Sequence, residues 1–143
     1  MKLNIFIDKN REEEITIYAK ENSKLIEEIK DLVLNNSIEL IGFKDKTAVV
    51  IDLSSVICFV VEENKIYALL NNEKLLLKCR LYHLENTLPK NFVKINQSTI
   101  ANINKIKSFD ASFSGSLAVN FENGYKDYVS RRNTKNIKER FGL

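Results

Sequence analysis

Two short polar clusters carry the groups in this chain best suited to chemistry. The first is Asn96-Gln97-Ser98, set in a β-branched stretch over 92–106 that also holds Asn102 and Asn104. The second is Ser130-Arg131-Arg132, near the far end. Asn and Gln are poor strand formers, so propensity does not account for their place among Val93, Ile95, Ile100 and Ile103. A carboxamide carries a donor and an acceptor side by side, which suits either a turn or the edge of a nucleic-acid base. An arginine just past a strand end can offer its planar fork to guanine O6 and N7, a contact worth roughly 1–3 kcal/mol of base discrimination. Two plainer readings stand beside these. Residues 96–98 could be only a polar turn between two strands, and Arg131 could be an exposed arginine paired with Asp127 or Glu139, since surface ion pairs are common and weak.

Catalytic and metal chemistry find little support. His83 is the only histidine and has no second ligand at metal spacing and no nucleophile beside it. Glu62 and Glu63 are adjacent, so a strand would point them apart. There is no glycine-rich phosphate loop. Cys58 and Cys79 form no CxxC pair and sit in apolar contexts, which reads as two buried free thiols. The chain is therefore expected not to be an enzyme, and to need no metal, cofactor or small-molecule substrate.

The 143 residues include only four Gly and one Pro, so one domain with a small appended module is expected, without a long flexible linker. No apolar run reaches the ~18 residues of a membrane span, and the apolar run at Leu3-Asn4-Ile5-Phe6-Ile7 is too short for a signal peptide. The expectation is a cytoplasmic protein with no membrane insertion. The net charge of +3 hides an asymmetry: residues 1–41 hold six Lys/Arg against nine Asp/Glu, and residues 126–143 hold six against two. Basic charge gathers toward the C-terminus, where a polyanion could be held.

Hydropathy patterning supplies the elements that must hold the two clusters. Leu3, Ile5 and Ile7, then Ile15 and Ile17, alternate as two strands of a hairpin around a turn at 8–11. Asn22 or Ser23 caps a helix whose apolar face is Leu25, Ile29, Leu32 and Val33. Residues 1–41 thus form a β-β-α module too small to bury a core alone. From Glu39 on the signal is almost wholly β. Strands are predicted over 47–53, 56–61, 66–70 and 75–77, the second of them central because it is apolar on both faces. Leu81, Leu84 and Leu88 mark a short helix closed by Pro89. Asn123-Gly124 predicts a type I′ hairpin between Leu117–Phe121 and a returning strand over 125–129. Asn133 or Thr134 caps a last helix with Ile137 and Phe141 inward.

These pieces together resemble the LytTR DNA-binding domain, the output domain of many bacterial response regulators. The phrase Phe92-Val93-Lys94-Ile95-x-x-Ser98-Thr99-Ile100-x-Asn102-Ile103 carries most of the likeness, supported by the 81–88 helix, the Asn123-Gly124 hairpin and Val129-Ser130-Arg131. It covers residues 42–143, and the chain with its short start resembles stand-alone members without a receiver domain. The resemblance implies a mainly β, elongated antiparallel fold with short helices. It also implies a transcriptional regulator that reads successive major grooves of double-stranded DNA through three loops. On this chain those loops fall at Glu63-Asn64-Lys65, Asn96-Gln97-Ser98 and Ser130-Arg131-Arg132, with Lys135 beside the last. Asn96 and Gln97 depart from the commoner family version, a histidine followed by a basic or amide residue, so a base preference does not transfer.

Lys94, Lys105, Lys107, Arg132, Lys135 and Lys138 would supply the salt-sensitive phosphate contacts. Residues 1–41 would serve dimerisation or signal input, and a homodimer formed through them would double the readable site. The alternative function is a β-rich protein-interaction or ligand-binding module whose basic surface is incidental. RNA binding is a third, and it would want exposed aromatics, whereas the strand aromatics here are expected to be mostly buried.

Overall fold

The computed structural model describes residues 2–35, 39–111 and 116–143. From Leu40 onward it is an antiparallel β structure with two helices and two 3-10 turns. Ten strands form among the described residues: β1 (Leu40–Lys44), β2 (Thr47–Ile51), β3 (Cys58–Glu62), β4 (Lys65–Leu69), β5 (Lys74–Leu77), β6 (Phe92–Asn96), β7 (Thr99–Asn102), β8 (Ile106–Ala111), β9 (Leu117–Phe121) and β10 (Lys126–Val129). The first seven make one sheet in the order β2-β1-β5-β4-β3-β7-β6, and the last three make a second in the order β10-β9-β8. Helix α1 spans Lys24–Asn35, α2 Leu81–Thr87 and α3 Arg131–Phe141.

The strand register follows from the alternation of side chains. On β3, Cys58 and Val60 point into one apolar cluster with Val93, Ile95, Val119, Phe121 and Ile137 of α3. Phe59, one residue over, points the other way, into a second cluster with Leu75, Phe92, Ile100 and Leu84 of α2. The central strands are apolar on both faces because they are covered on both, by α2 on one and by α3 and the smaller sheet on the other. That is the pattern the uninterrupted run at 56–61 predicts.

The two halves of this region repeat one plan. Each has a hairpin (β1–β2, then β6–β7), a 3-10 turn, three antiparallel strands (β3–β5, then β8–β10) and a helix. The 3-10 turns match closely: Asp52 and Asn102 cap them with the same backbone angles, φ −80 and ψ 109, and each side chain accepts the N–H two residues on. This places Asn102 in a structural role. It is 1% exposed, donates to the Val56 carbonyl at 2.8 Å, and accepts from Asn104 N and Asn91 Nδ2.

Several expectations need correction. Strand β2 ends at Ile51, because the Asp52 cap turns the chain into the 3-10 segment. Cys58 is buried but Cys79 is only half-buried, and both are free. The Asn123-Gly124 hairpin is not type I′: only Gly124 has positive φ, at 88°, and Phe121 N and Gly124 N close a three-residue loop over 122–124. The loop takes a type I turn with glycine in the left-handed position. The type I′ geometry instead occurs at the β3–β4 tip, where Glu63 and Asn64 have φ 48° and 62°. Glutamate has no side-chain means of easing that conformation. Glu63→Asn is expected to raise stability by ~0.5–1 kcal/mol in a urea titration; no gain would mean the tip is not held in this form in solution.

At the N-terminal end, α1 forms as expected, with Ser23 Oγ accepting from Ile26 N. The predicted hairpin does not. The turn at 8–11 is made, with Asp8 accepting from Asn10 N and Arg11 N, but residues 2–23 contain no strand. A two-stranded ribbon with no sheet or helix covering one face is marginal in water. Ile15 and Ile17 line an open hollow with Ile26 of α1 but stay exposed, as do Leu3, Ile5 and Ile7.

Candidate nucleic-acid interface

The β6–β7 turn, Gln97-Ser98, is flanked on both sides by the other two predicted loops. On one side β3 pairs with β7, and Val61 N donates to the Ser98 carbonyl at 2.8 Å. That pairing carries the β3–β4 tip, with Glu63, Asn64 and Lys65, up beside the turn. On the other side Ser130 N donates to the Ile95 carbonyl at 2.8 Å, which fixes the end of β10 against the end of β6. The structure therefore brings the segments 63–65, 96–98 and 130–132 to one end of the molecule in that order. Between the last two lies a cleft of about 600 Å³, lined by Asn96, Gln97, Ser98, Ser130 and Arg132, and also by Glu85, Lys94 and Asn133.

Asn96 departs from its expected role. Its Nδ2 donates to the Tyr128 carbonyl at 2.8 Å and to Asp127 Oδ1 at 3.1 Å, while its Oδ1 accepts from Ser98 N at 2.8 Å. With both ends engaged, this amide is a strut that shapes the turn and ties it to β10. Gln97, exposed at the tip, is the amide left free to meet a partner. Asp127 is the other half of the strut. Its Oδ2 accepts from Thr99 Oγ1 at 2.6 Å, and Thr99 is only 2% exposed. Burial pushes the Tyr125 phenol and the Cys58 thiol above their ordinary ranges, and the Asp127 charge adds to both.

The arginines also sit differently from expectation. Helix α3 begins at Arg131, not after Asn133 or Thr134, because Ser130 takes the cap position with extended backbone and its carbonyl accepts from Asn133 N and Thr134 N. Asn133 Nδ2 donates to Ser130 Oγ at 2.9 Å. Arg131 and Arg132 are thus the first two residues of a helix N-terminus, where the backbone already presents positive potential. Neither has an ion-pair partner among the described residues. The pairing of Arg131 with Asp127 or Glu139 does not form, since Asp127 serves Thr99 and Asn96 and Glu139 lies 4.0 Å from Lys135. Of the two arginines, Arg132 lines the cleft.

The expected phosphate-facing lysines divide. Lys94 pairs with Glu85 at 3.5 Å and Lys105 with Glu122 at 3.9 Å, whereas Lys107 and Lys138 have no ion pair among the described residues. Lys135 is exposed on α3 outside the cleft lining. Sequence reasoning missed Glu85, Asn133 and Tyr128. Tyr128 is 55% exposed, an exception to the expectation that strand aromatics are buried. Its alternation with buried Val129 on β10 was the available signal; Glu85 gave none, because only the packing of α2 beside β6 brings it near Lys94.

An antiparallel scaffold that offers loops and a helix N-terminus at one end, with unpaired guanidinium groups among them, defines a class of polyanion-facing β protein. The particular family follows from comparison: the chain belongs to the LytTr DNA-binding domain family, which it matches over residues 46–142. Two relatives from Staphylococcus aureus, strains NCTC 8325 and COL, are each 36% identical over 146 residues, covering 100% of this chain and 99% of the relative. Both are named uncharacterized HTH-type transcriptional regulators. In this chain α2 and α3 are separated by five strands, so they do not make a helix-turn-helix pair. The LytTr DNA-binding domain of a protein described as a methyl-accepting/DNA response regulator from Bacillus cereus has the same fold. Its TM-score is 0.69 at 21% identity, covering 73% of this chain and 97% of that one. No helix among the described residues is long and apolar enough to cross a membrane.

Proposed function

We propose that this chain is a sequence-specific, DNA-binding transcriptional regulator, acting in the cytoplasm as a homodimer joined through residues 1–41. The observation that carries the reading is the convergence of three segments, 63–65, 96–98 and 130–132, with two exposed arginines, unpaired among the described residues, at the start of α3. Three loops on one rigid end can enter the grooves of one duplex face without a recognition helix. The positive end of α3 and the two guanidinium groups repel one another in the free protein, and a phosphate there relieves all three. Asn64, Lys65, Gln97, Ser98, Ser130 and Lys135 contribute hydrogen bonds and charge around this centre, with Asn96 holding the turn.

Self-association is supported by the exposure of Leu25, Leu32 and Val33 on α1 together with Leu3, Ile5 and Ile7. These six large apolar side chains, exposed within residues 3–33, are more than scattered surface hydrophobics, and a partner surface would cover them.

Selection of bound duplexes from a random pool, followed by titration of the winner against salt, tests the DNA reading. An enriched motif is expected. Roughly five phosphate contacts would make log K fall against log salt with a slope of about −4.5. No enrichment together with a flat salt dependence would favour a protein-interaction module.

A further inference from the structure

We propose that residues 2–8 of one copy add as an antiparallel strand to the open edge of β2 in a second copy, reciprocally, so that two-fold strand exchange builds the dimer. This rests on the self-association read above and names its contact. Strand β2 is the terminal strand of the seven-stranded sheet. It is short of charge along its length, and its Val50 is 71% exposed, which makes it an edge ready to pair. Lys44↔Thr47 closes the β1–β2 hairpin over a two-residue turn, so the pairs Lys44↔Thr47, Gly42↔Val49 and Leu40↔Ile51 carry the ladder bonds. Phe43, opposite Ala48, accordingly pairs outward with Leu76 of β5. The same alternation turns the N–H groups of Ala48 and Val50 to the open side.

Residues 2–7 have the matching pattern and pair with no strand among the described residues, and Asp8 beyond them is held only by the local turn to Asn10 and Arg11. Leu3, Ile5 and Ile7 are 83%, 74% and 93% exposed. Antiparallel pairing with Leu3 opposite Ile51, Ile5 opposite Val49 and Ile7 opposite Thr47 places all three on the core side of the sheet, where Ile51 and Val49 pack. The same register brings Lys2 toward Asp52 and Asp8 toward Lys46, the residues just past each end of β2, so opposite charges meet at both ends. Parallel pairing would set Lys2 against Lys46 and Asp8 against Asp52, like charges at both ends. An antiparallel slip by two residues keeps the faces but loses both charge pairs. One register alone satisfies the alternation and the charges, and in the structure the segment does not lie on its own edge.

Val50→Pro removes an outward donor without touching the β1–β2 ladder, and Ile5→Asp disables the added strand without touching the sheet. Full-length protein is weighed by light scattering, with circular dichroism to confirm that each variant folds. The expected result is twice the chain mass for the wild type, a roughly tenfold or greater loss of dimer affinity in either variant, and slowed hydrogen exchange at Ala48 and Val50 in the wild type. A wild-type dimer unaffected by both folded variants overturns the strand exchange and leaves self-association standing. A monomeric wild type overturns both, and protected Ala48 and Val50 in a monomer would place the strand on its own chain's edge.

Discussion

Arg131→Ala is expected to weaken binding to the selected duplex by about 1–3 kcal/mol, roughly 5- to 150-fold, and to weaken binding to random duplex far less. The reason is placement. Arg131 is the first residue of α3, exposed, with no ion pair among the described residues. Its fork is free to reach a guanine edge, and alanine would leave that edge unread. Arg132→Ala should behave differently. Arg132 lines the cleft with Gln97, Ser98 and Asn133, and its expected contact is a phosphate oxygen. Its loss should lower affinity for cognate and random duplexes alike and flatten the salt slope by about one. Parallel titrations of the two variants on both duplexes give the answer, and equal losses for Arg131→Ala would remove it from base reading.

Asp127→Ala is expected to cost about 2–3 kcal/mol of folding stability, read by urea denaturation, and to lower DNA affinity on every sequence. Asp127 receives the Thr99 hydroxyl at 2.6 Å and the Asn96 amide at 3.1 Å. Removing it leaves a hydroxyl on a 2% exposed residue with no partner, and a buried unsatisfied donor costs about 1–3 kcal/mol. It also removes one of the two bonds that hold the Asn96 amide to β10, leaving only the one to the Tyr128 carbonyl. Adding Thr99→Val should recover part of the stability, because both partners are then absent, but none of the affinity, because Asn96 still lacks its carboxylate. A single-variant loss under ~0.5 kcal/mol would mean that the carboxylate is not a structural hub.

Local patterns carried well wherever one chemical rule acts over neighbouring residues. The alternation of Leu117, Val119 and Phe121 marked β9, and the 3–4 spacing of Leu81, Leu84 and Leu88 with Pro89 marked α2. The same reasoning failed for the hairpin at 2–17, whose alternation is sound but whose strands find no third partner among the described residues. It also placed the start of α3 too late. Asn133 and Thr134 are good caps in isolation, but β10 ends at Val129 as expected and the bond from Ser130 N to the Ile95 carbonyl makes Ser130, the next residue, the cap. The fold repeat was hidden for a related reason: Asp52-Leu53-Ser54-Ser55-Val56 and Asn102-Ile103-Asn104-Lys105-Ile106 share a cap and two apolar anchors but no identical residue.

By itself, the order of residues determined which segments are strands from Leu40 on, where most turns fall, and that amide and guanidinium groups stand at loop ends, because side-chain period and turn chemistry are local properties. Only the tertiary structure decided which of those groups are spent and which are free. Asn96 and Gln97 are neighbours of the same chemistry. One is consumed by Asp127, Tyr128 and Ser98 while the other points outward, since strand pairing across some thirty residues sets what each can reach.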